Sequence, residues 1–190
     1  MNQNKTVIAI TGGIGAGKSE VCKILSKYGE FCISCDKINA ELLQNNEYLN
    51  GLKSIFPNSV SNGKLNKRLI KEQIALHEEK RKALNKYSHA KIKAALINQI
   101  EQARADRVFV EVPVLNQTDY APLFDKIWVV VSDEIARNAR ISARDGVDTD
   151  FAEKLIAMQL NDNDYGEKTV YIFNNGDIDS LEKKILGLLK

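Results

Sequence analysis

The hydrophobic positions of the chain form short, near-continuous apolar runs that alternate with longer amphipathic segments. Such runs are typical of strands buried on both faces of a parallel sheet, and the segments between them are typical of helices. Strands are predicted at residues 6–11, 31–35, 107–115, 126–132 and 169–173. Helices are predicted at residues 18–28, 36–44, 47–56, 66–105, 133–144, 149–160 and 179–190. This alternation predicts an α/β fold in which five parallel strands are flanked by helices.

A glycine-rich segment, TGGIGAGKSE at residues 11–20, joins the first predicted strand to the first predicted helix. It fits the pattern G-x-x-x-x-G-K-[ST]. Glycines allow backbone N–H groups to surround phosphate oxygens, and the helix N-terminus adds partial positive charge. Lys18 is expected to reach the β- and γ-phosphates of ATP, and the Ser19 hydroxyl to ligate Mg²⁺. The predicted ATP-binding residues here are Gly13, Ile14, Gly15, Ala16, Gly17, Lys18, Ser19 and Glu20.

Glu20 departs from the residue types common at this position. Many phosphate-binding loops carry Ser or Thr there, which offers a hydroxyl to the α-phosphate. One interpretation is a surface glutamate that points away from the nucleotide, since acids are favourable in a first helical turn. The other is an altered grip on the α-phosphate. We favour the first.

Asp36 is the acid best placed for chemistry, because it follows the second predicted strand. Loops at the carboxyl ends of parallel strands converge on the ligand crevice. An aspartate there can accept the proton of an attacking hydroxyl or hold a water on Mg²⁺. The alternative is that Asp36 only caps the next helix. The GTPase patterns D-x-x-G and N-K-x-D do not occur in the chain.

Composition and charge exclude several classes of protein. The chain is 44% hydrophobic and 27% charged, as in ordinary globular proteins, and its net charge of +2 argues against a nucleic-acid binder. No signal peptide is recognised, and no apolar run approaches the roughly 20 residues of a membrane helix. We therefore expect a cytoplasmic protein that contacts neither membrane nor nucleic acid.

The chain has three cysteines, an odd number that argues against a disulfide framework. Cys32 and Cys35 form a C-x-x-C pattern within a predicted strand. Residues i and i+3 of a strand point to opposite faces and lie about 10 Å apart, which is too far for a disulfide. We interpret the cysteines as small, buried hydrophobic residues.

Taken together, these motifs resemble the bacterial dephospho-CoA kinase family of P-loop kinases. The resemblance is carried, in order, by TGGIGAGKSEVCKIL, Gly29, CISCDKINAEL, VPVL, ARISARD and NNG. It implies transfer of the ATP γ-phosphoryl group to the ribose 3′-hydroxyl of dephospho-CoA, with Mg²⁺. It also implies one three-layer P-loop kinase domain. Its parts are a core (1–60, 106–134 and 166–190), a helical substrate-binding insertion (about 61–105) and a lid (about 135–165).

The resemblance assigns roles to particular residues. Asp36 becomes the general base, and with Lys18 the lid arginines Arg140 and Arg144 complete the catalytic set. Guanidinium groups can neutralise the negative charge on a transferring phosphoryl group. Arg137, Arg140 and Arg144 also fall on one helical face. The alternative to a role at the phosphoryl group is that these arginines form a solvated basic stripe.

Further residues are assigned to the two substrates by the same resemblance. Those expected to contact the acceptor are Thr11, Asp36, His89 and Pro113. Asn175 and Gly176 are expected near the adenine of ATP, the alternative being an ordinary turn. The segment 64–93 carries ten Lys or Arg residues against three Glu, which suits an acceptor with a pyrophosphate. The alternative is that these Lys and Arg residues only form a solvated helix surface.

Several positions depart from the family pattern. Ser34 replaces the first acid of D-A-D, Ala90 follows His89 where the family has proline, and Gln117 stands where it has glutamate. Two other functions therefore stay open. One is a nucleoside or nucleotide kinase, and the other is a nucleotide-binding regulator without transfer activity. In either case we expect a monomer or weak homo-oligomer.

Overall fold

The computed structural model describes residues 5–61, 63–157 and 165–190. In chain order the elements are β1 (Thr6–Gly12), α1 (Lys18–Lys27), β2 (Phe31–Ser34), α2 (Cys35–Leu42), α3 (Asn46–Ile55), β3 (Val60–Ser61), β4 (Lys64–Leu65), α4 (Lys67–Leu76), α5 (Glu78–Gln102), β5 (Arg107–Glu111), β6 (Lys126–Val131), α6 (Glu134–Asp145), α7 (Thr149–Ala157), β7 (Thr169–Phe173) and α8 (Ile178–Leu189). The predicted continuation of α7 to residue 160 and the predicted lid residues 158–164 lie outside the described residues.

Five strands form one parallel sheet in the order β2-β5-β1-β6-β7. The predicted five-stranded parallel sheet is therefore confirmed. The central strand β1 is buried on both faces, as its apolar run predicts. Gly12 pairs with Val130 and Ser34 pairs with Glu111, so the carboxyl ends of β1, β5 and β2 meet at one edge of the sheet.

One face of the sheet packs on α1 and α8, and Phe109 and Trp128 form an aromatic contact within this core. The rings of Phe109 and Trp128 lie 5.1 Å apart, tilted by 56°. Around them the apolar faces of the two helices are buried, through Val21, Ile24, Leu25, Leu181 and Ile185. Burial of this kind stabilises by about 25 cal/mol per Å² of apolar surface. The glycine loop is thus attached at both ends, through β1 and α1, to this core cluster.

The chain divides into two compact units, one of residues 1–34 and 100–190 and one of residues 35–99. The second unit starts earlier than the predicted insertion at about residue 61. The physical reason is that α3 packs on α5: Tyr48 stacks on Tyr87 with ring centroids 5.3 Å apart, and Leu52 belongs to the same cluster. This packing places α3 in the helical unit, whereas the predicted core extended to residue 60.

The structure differs from the sequence-based prediction at two further points of the helical unit, residues 35–99. The segment between the predicted helices 47–56 and 66–105 contains the short antiparallel strand pair β3–β4. The predicted helix 66–105 is two helices, because His77 has extended backbone and ends α4. Asn66 caps the first of them by accepting a hydrogen bond from the Leu69 N–H. No helix within the described ranges is long and apolar enough to cross a membrane.

Candidate active site

The loop between β1 and α1 depends on glycine at two points of close approach. Gly12 has φ +139°, and a Cβ there would lie 2.2 Å from the Val130 carbonyl oxygen. Gly17 has φ +102°, and a Cβ there would lie 2.3 Å from the amide nitrogen of Asn174. Both the left-handed backbone and the contacts exclude larger residues. The strand, glycine loop and helix predicted from the sequence are therefore present, with α1 starting at Lys18.

Lys18 folds back over this loop. Its Nζ donates hydrogen bonds to the carbonyl oxygens of Gly12 (2.9 Å) and Gly13 (3.0 Å). The ammonium therefore lies at the loop itself, within reach of the place where the loop and the N-terminus of α1 favour an anion. This is the position that a phosphate-binding lysine requires.

Ser19 and Glu111 form an oxygen pair beside the loop that sequence reasoning did not identify. The Ser19 hydroxyl donates a hydrogen bond of 2.7 Å to Glu111 Oε1. Ser19 is exposed, and Glu111 is the last residue of β5. A hydroxyl and a carboxylate are the hard oxygen donors that Mg²⁺ prefers. The signal in the sequence was a lone acid at the end of an otherwise apolar strand, VFVEVP.

Glu20 pairs along the surface of α1 with Lys23, at 3.0 Å and one helical turn away. Its side chain is one-third exposed, and the ion pair directs the carboxylate toward the next turn of the helix. This geometry favours the interpretation of Glu20 as a surface glutamate over that of an altered α-phosphate contact.

Arg140 contacts the loop through backbone carbonyls. Its Nη1 donates to Ser132 Oγ (3.0 Å) and to the Gly15 carbonyl (3.3 Å), and its Nη2 donates to the Asn174 carbonyl (2.9 Å). These bonds occupy both terminal nitrogens. Arg140 therefore connects α6 and the segment after β7 to the glycine loop, which is a positioning role.

The other two arginines of the α6 face differ from each other. Arg137 is buried against the loop, where its Nε donates to the Ile14 carbonyl (2.9 Å), and burial lowers the pKa of its guanidinium. Arg144 is exposed and forms a two-pronged ion pair with Asp145, which raises the pKa of Arg144. The solvated basic stripe thus describes Arg144 alone.

Asn174, the first residue of the N-N-G motif, contacts the loop directly. Its side chain is buried, and its Nδ2 donates a 2.8 Å hydrogen bond to the Ala16 carbonyl. Asn175 instead accepts a hydrogen bond from the Asp133 N–H (3.0 Å) at the start of α6, and Gly176 is exposed. Sequence reasoning selected Asn175 and Gly176 from this motif and missed Asn174.

Replacing Asn174 with alanine is expected to lower the free energy of unfolding by about 1–3 kcal/mol, because the Ala16 carbonyl loses its shorter side-chain hydrogen bond and keeps only the 3.5 Å one from Arg140. The KM for ATP is expected to rise with it, since the loop loses a support. Denaturant unfolding and ATP titration measure the two effects. The matched control is Asn50→Ala, which removes an exposed asparagine from α3. A change within about 0.5 kcal/mol in Asn174→Ala contradicts the positioning role.

The remaining predicted site residues fall in different places. Asp36 is exposed in the first turn of α2, two residues after the end of β2. Since α2 starts at Cys35, Asp36 lies inside the helix and not at its N-cap, which disfavours the alternative that Asp36 only caps this helix. His89 is partly buried on α5, and Pro113 is partly buried two residues after β5.

Thr11 is fully buried at the end of β1. Its hydroxyl oxygen has no hydrogen-bond partner among the described residues. A fully enclosed hydroxyl cannot touch a ligand in this arrangement. The expected contact of Thr11 with the acceptor therefore finds no support in the structure.

Comparison with known proteins gives this site a family context. The dephospho-CoA kinase family model matches residues 6–180. The dephospho-CoA kinase of Fusobacterium nucleatum is 32% identical over 183 residues, which cover 94% of each chain.

Solved structures show the same fold. The crystal structure of TT1252 from Thermus thermophilus has a TM-score of 0.85 and 26% identity, and the match covers 98% of this chain and 97% of that one. Dephospho-CoA kinase from Campylobacter jejuni has a TM-score of 0.71 at 23% identity, covering 97% and 96% of the two chains, and at that identity it supports the fold alone. The family match spans both the glycine loop and the N-N-G motif that contacts it, and the chain belongs to the dephospho-CoA kinase family.

Proposed function

We propose that this chain transfers the γ-phosphoryl group of ATP to the ribose 3′-hydroxyl of dephospho-CoA, giving coenzyme A and ADP. The observation that carries the proposal is Lys18 held over the glycine loop in a chain of this family. The family membership supports dephospho-CoA as the phosphoryl acceptor, and the glycine loop supports ATP as the phosphoryl donor.

The residues of the loop supply binding and charge for ATP. The backbone N–H groups of residues 13–19 and the N-terminus of α1 bind the phosphates, and Lys18 moves from its carbonyl partners to the β- and γ-phosphate oxygens. Phosphoryl transfer depends mainly on such positioning and electrostatic stabilisation. Asn175 and Gly176 lie after β7, beside the residue that supports the loop, and we assign them to the adenine side.

Asp36 acts as the general base in this proposal. It follows β2, whose carboxyl end lies at the same edge of the sheet as the end of β1. Its carboxylate accepts the proton of the ribose 3′-hydroxyl as the hydroxyl attacks phosphorus. His89 and Pro113 are assigned to acceptor binding, with Arg144 as the lid arginine that remains outside the loop contacts.

Ser19 and Glu111 would hold Mg²⁺. When bound, this ion neutralises charge on the β- and γ-phosphates. Both groups offer oxygen atoms, and their 2.7 Å hydrogen bond places them side by side. Because Ser34 supplies no carboxylate on β2, Glu111, its partner in register, is the acid at this part of the sheet edge.

Replacing Glu111 with glutamine is expected to raise the Mg²⁺ concentration needed for half-maximal activity by about tenfold, since a charge-assisted partner of Ser19 is lost. Activity is measured across a magnesium titration at saturating ATP. The matched control is Glu101→Gln, an exposed glutamate at the end of α5. An unchanged magnesium requirement in Glu111→Gln argues against this acid as part of the site.

The function is tested by ADP release from Mg·ATP with dephospho-CoA, beside adenosine, AMP, CMP and a sample without acceptor. The mass of the product shows whether one phosphate has been added. We expect acceptor-dependent turnover with dephospho-CoA alone. Turnover with a nucleoside or nucleotide instead would identify a different kinase. ATP binding without any turnover would identify a nucleotide-binding regulator.

We place this activity in the cytoplasm, in a monomer or weak homo-oligomer that acts on a small molecule. The modest net charge of +2 supports a small-molecule substrate over nucleic acid. Light scattering during size-exclusion chromatography measures the oligomeric state.

A further inference from the structure

Two cysteines that the proposed reaction does not use lie against each other. Cys22 lies on α1, three residues after Ser19, and Cys32 is the second residue of β2. The Cys32 thiol donates a hydrogen bond of 3.7 Å to the Cys22 carbonyl oxygen, which places the Cys32 side chain against the backbone of Cys22. Both pack on the core cluster beneath α1 and remain partly exposed, whereas Cys35 is buried. The contacting pair is therefore Cys22–Cys32 and not the C-x-x-C pair.

The surroundings give the two sulfurs different chemical character. The hydrogen bond with Cys22, helped by one with Ser26, lowers the pKa of Cys32 despite its partial burial. The hydrogen bond with Cys32, and then burial, raise the pKa of Cys22. A lowered pKa increases the fraction of thiolate, which is the form that attacks an oxidant. Cys32 has the character of an attacking sulfur, and Cys22 that of a neighbouring resolving thiol.

We propose that Cys22 and Cys32 form a reversible oxidative modification site, at which hydrogen peroxide converts the two thiols into a disulfide. The Cys32 thiolate attacks one peroxide oxygen, the O–O bond breaks, and hydroxide leaves, which gives a sulfenic acid on Cys32. The sulfur of Cys22 then attacks the Cys32 sulfur, the S–O bond breaks, and the Cys22 proton ends in water. Two thiols are oxidised and one peroxide is reduced, so no further reactant is needed.

The disulfide changes the geometry beside the glycine loop. Its sulfurs must lie about 2.05 Å apart, so the covalent link constrains α1 against β2 and we expect it to shift the start of α1. The first turn of α1 carries Lys18 and Ser19. A displacement of about 1 Å in catalytic groups costs about 10²-fold in rate. We therefore expect the oxidised protein to turn over at least about tenfold more slowly, and dithiothreitol to restore the rate.

The test treats the full chain with a small excess of hydrogen peroxide, blocks the remaining thiols by alkylation, and maps the peptides by mass spectrometry. The expected result is a Cys22–Cys32 link with a mass loss of two hydrogens, reversed by dithiothreitol. Cys35→Ser should form the same link. In Cys22→Ser, oxidation should stop at a Cys32 sulfenic acid, which dimedone traps. Cys32→Ser should neither be oxidised by hydrogen peroxide nor be labelled by dimedone.

This readout does not depend on kinase activity, so its failure is distinct from a failure of the proposed function. Alkylation of both Cys22 and Cys32 in treated wild-type protein overturns the proposal, as does a link that uses Cys35. Turnover is then compared between the oxidised and reduced forms of the same sample. An unchanged rate in fully linked protein overturns the regulatory consequence.

Discussion

Replacing Lys18 with alanine will lower kcat/KM for phosphoryl transfer by about 10³-fold. The ammonium lies at the glycine loop, 2.9 Å from the Gly12 carbonyl oxygen and 3.0 Å from that of Gly13. Removing one preorganised donor at developing charge costs about 10²–10³-fold. Because Lys18 also contacts ATP in the ground state, KM for ATP is expected to rise as kcat falls.

Steady-state kinetics with ATP and dephospho-CoA, supported by circular dichroism of the folded protein, measure this effect. The matched control is Lys23→Ala, which removes a mostly exposed lysine from the same helix. That variant should remain within a few-fold of wild type. A Lys18→Ala enzyme that retains a tenth or more of the wild-type kcat/KM would remove Lys18 from the catalytic set.

Replacing Asp36 with asparagine will lower kcat by about 10²–10⁴-fold and leave ATP affinity nearly intact. The amide keeps the size of the side chain but cannot accept the proton of the attacking hydroxyl. Asp36 lies in the first turn of α2 and does not occupy its N-cap, so loss of a cap does not account for such an effect.

Single-turnover rates and ATP titrations separate chemistry from binding. Glu41→Gln neutralises an exposed acid farther along α2 and serves as the matched control. If Asp36→Asn turns over within a few-fold of wild type, Asp36 is not the base. If ATP affinity falls in parallel with kcat, the aspartate supports the nucleotide site and not the proton transfer.

The sheet and the glycine loop were predictable because their signals are local. The apolar run before Gly12 and the Lys-Ser pair after Gly17 each specify structure within a few residues. The position of α3 was not predictable, because its apolar face fits a sheet or another helix equally well. The stacking of Tyr48 on Tyr87 in the structure shows that α3 packs on another helix.

The residues that contact the glycine loop from distant parts of the chain were also not predictable from local sequence patterns. Glu111 meets Ser19 because β5 lies next to β1, and nothing in the pattern of either strand specifies that order. The contact between Asn174 and Ala16 joins residues 158 positions apart. Arg140 was assigned to the phosphates from its place in a motif, whereas its geometry directs it to backbone carbonyls.

The central position of β1 has a consequence for the synthesis of this protein on the ribosome. β1 is made before both of its neighbours, β5 and β6, which begin only at Arg107 and Lys126. Until they emerge, the glycine segment follows a strand with no partner on either side, and such contacts between distant residues form slowly. A nascent chain is therefore unable to assemble the nucleotide site until most of it has been translated, and the apolar residues of β1 have no neighbouring strands during that interval.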